Sequence, residues 1–225
     1  MSNRKICLIG ASSDLGLAIA QVASELAGIE VYGISQNKLV LNYKKTLTVH
    51  DYETSEGEIK GFVMENGISD IIILNGFIGE NNHPVEQIIK VNFSIPVNLI
   101  KYIDPDRKSG ITYTVISSLA AAKPREKNYV YGLSKYLLEQ SIRNQKSGKY
   151  IIIRAGFIRT KMTKDHKIPP FAKDPKEIAK SVLSTVLNNK KKLSIKYSSF
   201  EIRLLFYAFK LTPLSVLNAI EKRML

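Results

Sequence analysis

The chain has 225 residues and a formal net charge of +13, enough length for one α/β domain with a sizeable core and little more. Its single cysteine, Cys7, excludes an internal disulfide and is expected to be a buried small hydrophobe; no Cys/His cluster has metal-ligand spacing, so no metal site is predicted. The first residues are polar and only residues 6–9 form an apolar run, which does not fit a signal peptide and indicates a cytoplasmic protein.

The charge is unevenly distributed along the chain. Residues 1–100 carry 7 basic and 11 acidic side chains, whereas residues 101–225 carry 26 basic and 9 acidic ones. A basic half suits an anionic partner such as a phosphorylated cofactor, an anionic substrate or an anionic lipid, although many of these lysines can equally form a solvated surface. No nucleic-acid-binding motif accompanies the charge, so nucleic acid is not predicted as a partner.

Short apolar, β-branched runs alternate with amphipathic stretches. The strands are predicted at residues 5–9, 30–34, 45–49, 71–74, 111–116 and 150–153, and the helices at 15–27, 55–65, 84–102 and 128–146. Strands without polar alternation, separated by helices, indicate a parallel sheet covered on both faces. The predicted fold is therefore α/β, a doubly wound parallel sheet of the Rossmann type, in one domain over residues 1–197 with a tail over 198–225.

The last third of the chain is less regular. Residues 161–174 are predicted to be a loop, and a helix is predicted from Asp174 as N-cap and Pro175 as first residue to about 187. The apolar and basic tail predicts two short helices, the second with Thr212 as N-cap and Pro213 as first residue. Such helices commonly lie in a membrane interface; the alternative is packing on a partner subunit or on the same domain.

A glycine-containing turn follows the first predicted strand and leads into the first predicted helix. Gly10 permits the tight turn, Gly16 allows the helix to approach the strand closely, and Ser12 and Ser13 add hydroxyl donors. Backbone N–H groups at such a helix start can bind a pyrophosphate, although a small-residue turn without a ligand is the alternative. The candidate cofactor-binding residues here are Gly10, Ser12, Ser13, Asp14, Leu15 and Gly16.

Tyr131 and Lys135 lie four residues apart in a predicted helix and therefore share one face. A nearby ammonium group stabilises phenolate, so Lys135 is expected to lower the pKa of Tyr131 from about 10 toward neutrality. A phenol tuned in this way can donate a proton to a carbonyl oxygen. The pair alone could be a surface contact. Tyr129 is a rival tyrosine, but Leu133 occupies the place of its lysine.

The ordered set of motifs resembles the short-chain dehydrogenase/reductase family over roughly residues 4–190. The resemblance implies that Tyr131 is the catalytic acid, Lys135 its partner, Ser118 the residue that binds the substrate carbonyl, and Asn92 an organiser of a water chain to the lysine. It further implies that the cofactor contacts Asn75 and Gly76 after the fourth strand and Gly156, Ile158 and Thr160 after the sixth. The chain departs from the family pattern at the middle glycine of the turn and in two later motifs, where Asp14, Leu74, Phe77 and Ala155 stand.

The end of the second predicted strand bears on cofactor choice. An acidic residue there would bind both ribose hydroxyls and repel a 2′-phosphate. The chain instead has Ser35, Gln36, Asn37 and Lys38, which can donate to a phosphate, so NADP(H) is favoured over NAD(H). By resemblance, Asp51 after the third strand lies near the adenine, with Tyr52 available to pack beside the ring.

The resemblance is closest in character to reductases of decaprenylphosphoryl keto-sugars, which have an acidic residue in the glycine turn and a basic, apolar, proline-containing end. With the complete catalytic set, the basic second half and the tail, it leads to the hypothesis of an NADP(H)-dependent reductase of a carbonyl that works at the cytoplasmic face of the membrane. The substrate would be a keto-sugar or another anionic, lipid-linked intermediate of cell-surface glycan synthesis. The alternatives are a 3-oxoacyl thioester reductase and a catalytically silent NADP(H)-binding sensor or scaffold. The family further implies a homo-oligomer.

Overall fold

A computed structural model describes residues 3–39, 43–76, 83–106 and 108–224. Phe77, one of the departures from the family pattern, lies outside them. The described residues form seven strands: β1 (Arg4–Ile9), β2 (Ile29–Ser35), β3 (Lys45–Thr48), β4 (Asp70–Ile73), β5 (Thr112–Ser118), β6 (Lys149–Ala155) and β7 (Leu193–Tyr197). They also form eight α-helices: α1 (Asp14–Ser24), α2 (Glu56–Glu65), α3 (Val85–Ile89), α4 (Ile95–Ile103), α5 (Tyr129–Arg143), α6 (Pro175–Asn188), α7 (Phe200–Leu211) and α8 (Leu214–Met224).

All seven strands pair in parallel in one sheet, in the order β3-β2-β1-β4-β5-β6-β7. The chain builds outward from β1 to β3, then returns to the other side of β1 to add β4. Such a reversal leaves a crevice beyond the carboxyl ends of β1 and β4, where ligands bind in sheets of this kind. The predicted doubly wound α/β fold is confirmed.

Both faces of the sheet are buried, which explains why its central strands are apolar throughout. On one face, Ile6, Leu8 and Ile72 pack against α1 and α6. On the other, Cys7, Ile9 and residues of β4 to β6 pack against α2, α4 and α5. Cys7 is fully buried, as predicted. Since each fully buried Ile contributes about 1.5–3 kcal/mol, these two apolar layers hold the sheet and helices together.

The helix predicted over residues 84–102 is interrupted. Residues Lys90–Ser94 form a π-helical turn between α3 and α4. A π-helical turn inside a helix is uncommon and is frequently found at functional sites. Here it places Asn92 fully inside the protein.

The carboxyl-terminal part differs from the predictions at two points. β7 was not predicted; it pairs with β6 and completes the sheet. The predicted helix start at Asp174 is confirmed, with Asp174 and Glu177 forming a capping box. The two tail helices are also confirmed, but the prediction for Thr212 was wrong. Its hydroxyl donates to the Ala208 carbonyl at the end of α7, and α8 starts at Leu214.

The predicted boundary after residue 197 falls between β7 and α7. The buried side of α7 and α8 contacts the rest of the domain through Ile202, Phe206 and Leu217. Lys123 donates to the Thr212 carbonyl, and the Arg125 guanidinium lies 4.5 Å from the centre of the Phe209 ring. The tail helices therefore pack beside the segment that leads into α5. None of the described helices combines the length and hydropathy needed to cross a bilayer.

Candidate active site

The predicted site residues lie at the carboxyl-terminal end of the sheet, where its parallel strands end. Because the strands are parallel, the segments that follow β1, β2, β3, β4, β5 and β6 all leave at their carboxyl ends. At this end of the sheet, the segments lie side by side in the order of their strands: first the segment after β3, then those after β2, β1, β4, β5 and β6. Residues expected to bind an adenosine therefore lie at one side, and Ser118 and Gly156 lie at the other.

The turn after β1 has the geometry of an anion-binding helix start. Gly10 has a positive φ of 83°, and its N–H donates to the Ile34 carbonyl at 3.0 Å. Ser13 is the N-cap of α1, and its hydroxyl accepts from the Gly16 N–H. A Cβ on Gly16 would lie 2.6 Å from the Ala11 carbonyl oxygen, so only glycine lets α1 approach the turn so closely. The carboxyl end of β1 thus meets the positive end of the α1 dipole.

The residues after β2 meet this turn. The Asn37 amide donates to the Ser12 hydroxyl at 3.4 Å, and Gln36 donates to the His50 carbonyl after β3 at 2.9 Å. Gln36, Asn37 and Lys38 are exposed, whereas Ser35 is fully buried. The Ser35 hydroxyl bonds only the Asn37 backbone among the described residues, so it shapes the turn and does not face a ligand.

Asp51 and Tyr52 follow β3. Asp51 accepts hydrogen bonds from the backbone N–H groups of Glu53 and Thr54, which lower the pKa of its carboxyl below the usual range. Tyr52 is only 6% exposed and its ring packs in the core. Its hydroxyl approaches the Asn75 side chain and the Gly10 backbone. The expected packing of this ring beside an adenine does not fit that placement; Tyr52 instead supports the turn from below.

Gly76, Asn92 and Lys135 meet after β4. A Cβ on Gly76 would lie 3.2 Å from the Asn92 Oδ1 and 3.5 Å from the Lys135 Nζ. Lys135 is 4% exposed, and its Nζ donates to the Ile116 carbonyl in β5 at 3.1 Å. The π-helical turn is what directs Asn92 to this point, since its amide is anchored on the Ile88 carbonyl. The structure therefore brings the predicted asparagine and lysine together.

Tyr131 and Ser118 form the other half of the cluster. The Tyr131 hydroxyl is hydrogen-bonded to Ser118, and the Lys135 Nζ lies 6.0 Å from the centre of the Tyr131 ring. Ser118 also caps the short turn Leu119–Ala122, accepting from the Ala120 N–H. The rival Tyr129 is 51% exposed.

The expected pKa shift of the tyrosine was wrong in direction. Burial raises the pKa of Tyr131 above its ordinary value, and the hydrogen bond to Ser118 only partly opposes this. Burial also lowers the pKa of Lys135 to about 8. Both groups lie in a low-dielectric environment that disfavours their charged forms, and this effect is larger than their mutual attraction. The Tyr131 hydroxyl therefore stays protonated at neutral pH, and the Lys135 ammonium releases its proton more readily than that of an ordinary lysine.

The segment after β6 closes the edge. The Gly156 N–H donates to the Ser198 hydroxyl, and a Cβ on Gly156 would lie 2.4 Å from the Ile202 Cδ1 of α7. The Ile158 carbonyl accepts from the Thr163 hydroxyl, and Thr160 forms a capping box with Thr163. These bonds fix the backbone through which the resemblance places the cofactor contacts of Ile158 and Thr160.

Two contacts at the glycine turn were not predicted. Asp14, in place of a glycine, accepts the backbone N–H of Lys161 at 2.6 Å and so joins α1 to the segment after β6. Tyr43 donates from its hydroxyl to the Ala11 carbonyl at 2.9 Å, and burial raises its pKa to about 12. Neither contact could be foreseen, because each joins residues at least 32 positions apart.

Comparison with known proteins identifies the architecture. No model of a protein family matches the sequence, and no curated protein matches it. Solved structures do match. A short-chain dehydrogenase from Burkholderia cenocepacia J2315 in complex with NADP has a TM-score of 0.73 and 18% identity, covering 94% of this chain and 99% of that chain. The chain has the short-chain dehydrogenase fold.

Two further solved structures support the same conclusion. A short-chain dehydrogenase from Streptomyces avermitilis has a TM-score of 0.73 and 17% identity, covering 100% of this chain and 95% of that one. Aldohexose dehydrogenase from Thermoplasma acidophilum, in ligand-free form, has a TM-score of 0.66 and 16% identity, covering 90% and 95%. At these identities the similarity establishes the fold, and the chemistry must be argued from the residues of this chain.

Proposed function

We propose that the chain is an NADP(H)-dependent oxidoreductase that reduces a carbonyl group, with Tyr131 as proton donor. The observation that carries the proposal is the cluster at the carboxyl ends of β4 and β5. There the Tyr131 hydroxyl bonds Ser118, while Lys135 and Asn92 meet at Gly76. A protonated phenol, a hydroxyl donor and a buried amine with a lowered pKa form a set suited to proton transfer.

The residues at the sheet edge fit a nicotinamide dinucleotide. Gly10 has a positive φ and any side chain at Gly16 would meet the Ala11 backbone, so the two glycines let the turn pack tightly against the start of α1, where backbone N–H groups can bind a pyrophosphate. The Asn75 Oδ1 is buried at the switch point and has no hydrogen-bond partner among the described residues. A ribose hydroxyl is the kind of donor that would satisfy it. The Asp14 carboxylate is occupied by the Lys161 N–H, which directs it toward the segment after β6.

NADP(H), which carries a 2′-phosphate on its adenosine, fits the residues at the adenosine side better than NAD(H) does. Ser12 and Asn37 lie within 3.4 Å of each other at the mouth of the turn, and Lys38 beside them is exposed. No carboxylate stands among residues 35–38 to repel a phosphate. The NADP named for the Burkholderia structure is in keeping with this assignment.

The protein's part in the reaction follows from the positions of four side chains. The bound nicotinamide would supply the hydride. The Ser118 hydroxyl would donate to the substrate oxygen and stabilise its developing negative charge. Tyr131, whose raised pKa keeps its hydroxyl protonated, would transfer that proton to the same oxygen. The Lys135 ammonium, whose pKa burial lowers to about 8, would then return a proton to the Tyr131 phenolate, and the Asn92 Oδ1 beside Gly76 would accept a hydrogen bond near that ammonium.

The proposed substrate is a keto-sugar or a lipid-linked anionic carbonyl compound. Its support is the basic second half of the chain, where residues 101–225 carry 26 basic and 9 acidic side chains and would attract an anionic substrate. The test is NADPH oxidation with a panel of nucleotide-linked keto-sugars, lipid-linked keto-sugars and 3-oxoacyl thioesters. Turnover of none of them would contradict the proposed reductase activity, and turnover of thioesters alone would replace its substrate.

We further propose that the outer face of α7 rests on an anionic membrane surface. Phe200, Leu204 and Leu211 form an exposed stripe on that helix, and Leu211 is 81% exposed. Their spacing places them on the side opposite the buried Ile202 and Phe206. Arg203 and Lys210 lie on the same helix and would attract anionic headgroups.

Sedimentation with anionic vesicles tests this placement in the full chain. Changing both Leu204 and Leu211 to Gln should abolish co-sedimentation with vesicles that contain phosphatidylglycerol, because it removes the apolar contact with the acyl chains. Leu17→Gln is the matched control, since Leu17 is 40% exposed on α1. Binding that survives the double change, or an intact protein that ignores the vesicles, would contradict a membrane-facing α7.

A further inference from the structure

A buried group of charged and polar side chains lies beside the proposed active site without belonging to it. Arg154 of β6 and Glu139 of α5 form an ion pair whose side chains are only 8% and 2% exposed. The Glu139 carboxylate accepts from the Arg154 Nε at 2.9 Å and from its Nη2 at 2.5 Å. The same carboxylate accepts the Ser117 hydroxyl at 2.6 Å. Arg154 also donates to the Tyr197 hydroxyl at 2.7 Å.

The sheet register explains why these residues meet. Ser117 is paired with Arg154 across β5 and β6, and Arg154 with Tyr197 across β6 and β7. The three side chains therefore form a row on the face covered by α5. Glu139 descends from α5 onto this row, two turns beyond Tyr131 and one beyond Lys135, so all three lie on one side of that helix.

Helix α7 closes the group from the other side. The centre of the Phe206 ring lies 3.8 Å from the Arg154 guanidinium carbon, and Tyr197 packs edge-on against Phe206. Phe206 is 4% exposed, so its ring separates the ion pair from solvent. The stripe proposed to face the membrane and the ring that covers Arg154 are thus on opposite sides of one helix.

Stability alone is a weak reason for this arrangement. Burying two charges costs desolvation free energy that their attraction often fails to recover, and apolar side chains of similar size would serve the core as well. What the ion pair supplies is a defined position of α5 relative to β5 and β6. One carboxylate with fixed hydrogen bonds to β5 and β6 sets where α5 sits along the sheet. Ser117 immediately precedes Ser118, so the same bonds set the distance between Ser118 and Tyr131.

We propose, on the basis of the proposed function, that Glu139 is a positioning residue for Ser118 and Tyr131, and that Arg154 and Phe206 couple the docking of α7 to that position. Glu139 acts through Ser117 and through its own helix. It does not touch the reacting atoms. Loss of the carboxylate charge releases Arg154, loosens α5 against β5 and shifts Tyr131 relative to Ser118. A displacement of about 1 Å can cost on the order of 100-fold in rate.

A residue at the amino-terminal end of the sheet, opposite the proposed active site, provides a matched control. Asp70 at the start of β4 accepts from the Arg4 Nε at 2.8 Å and its Nη2 at 2.7 Å, and it also accepts the Ser69 hydroxyl at 2.8 Å. Its side chain is 2% exposed, as for Glu139. Asp70 is therefore a buried carboxylate that, like Glu139, accepts hydrogen bonds from one arginine and one serine hydroxyl, but it lies at the amino ends of the strands, away from the proposed site. Asp70→Asn should cost stability but not catalysis.

The experiment compares Glu139→Gln with Asp70→Asn in the full chain. Amide hydrogen exchange is followed by mass spectrometry, the Kd of NADPH by its own fluorescence, and steady-state reduction with diacetyl and with the carbonyl panel. Glu139→Gln is expected to speed exchange in residues 117–135 and 200–211, to lower kcat by about tenfold or more, and to leave the Kd of NADPH within about twofold. Asp70→Asn is expected to speed exchange only near residues 4 and 70.

The outcomes separate the positioning role from a structural one. If Glu139→Gln lowers the melting temperature but leaves exchange in 117–135 and kcat per folded molecule unchanged, the positioning role is wrong. Ser117→Ala keeps the proposal testable should Glu139→Gln not fold, because it removes one hydroxyl only and must change the same readouts in the same direction. If no carbonyl is reduced even by the unaltered protein, the proposed function fails, while the exchange pattern still decides the positioning role.

Discussion

Replacing Gly16 by alanine tests the cofactor turn through a single added methyl group. That Cβ would lie 2.6 Å from the carbonyl oxygen, 2.9 Å from the carbonyl carbon and 3.0 Å from the Cα of Ala11. All three are backbone atoms of a fully buried residue whose own N–H is bonded to the Ile34 carbonyl. No flexible side chain can move aside, so either the turn or α1 must shift.

The magnitude follows from two opposing effects. Overpacking against immobile atoms costs about 3 kcal/mol at the upper end of its usual range. Alanine in a helix gains up to about 1 kcal/mol over glycine. The net loss is about 2 kcal/mol, which lowers the melting temperature by roughly 4–8 °C for a chain of this length. Because the displaced N–H groups are those proposed to hold the pyrophosphate, NADPH should bind at least about tenfold more weakly.

Gly61→Ala is the matched control. Gly61 lies inside α2, and a Cβ there would have no neighbour within 4 Å among the residues that the structure describes. The change should raise the melting temperature by roughly 2–4 °C through helix propensity alone and leave NADPH binding unaltered. Thermal unfolding followed by circular dichroism and titration of NADPH fluorescence measure both effects. A Gly16→Ala protein as stable as the unaltered one, with the same affinity for NADPH, would refute the reasoning about this turn.

Three further results are expected. Tyr131→Phe should lower turnover by about 100-fold or more while leaving NADPH affinity nearly unchanged, and turnover within a few-fold of the unaltered protein would remove Tyr131 from the mechanism. NADPH should bind more tightly than NADH, measured by cofactor emission in a chain without tryptophan, and equal affinities would contradict the interpretation of residues 35–38. Burial lowers the pKa of Lys135 to about 8, so the unfolded chain holds this proton more tightly than the folded one and stability relative to Lys135→Met should rise from pH 8 to 10.5; a flat difference would contradict that pKa.

Features written in local sequence were predictable. The strand runs, the glycine turn and the four-residue spacing of Tyr131 and Lys135 each depend on neighbouring residues, and the strands form the sheet that the pattern predicted. β7 escaped prediction because it is a short edge strand, in which Lys196 and other partly exposed residues weaken the apolar pattern. The π-helical turn is invisible in sequence, since one extra residue per turn alters the backbone and leaves composition unchanged.

Features that depend on burial were harder to foresee. The sequence presents Tyr52 as an aromatic residue beside a cofactor motif, but the depth of the core beneath β3 decides that its ring is buried. The direction of the Tyr131 pKa shift likewise depends on how far water is excluded from it, which spacing along a helix does not report. Glu139 and Arg154 stand 15 positions apart on different elements, so only the sheet register and the seat of α5 reveal the pair.

The two faces of α7 link the proposed membrane contact to the proposed chemistry. Its inner face holds Ile202 against Gly156 and Phe206 over Arg154, and its outer face presents Leu204 and the rest of the stripe. A membrane surface that binds α7 only when the helix is packed on the domain stabilises that packed form by mass action. The stabilisation is RT ln(1 + [L]/Kd), where [L] is the concentration of accessible lipid and Kd its dissociation constant. Because the docked form is the one in which Arg154 holds Glu139, a bilayer that captures α7 also favours the arrangement in which Ser118 meets Tyr131. Binding and catalysis then share one equilibrium, without any part of the site having to touch lipid.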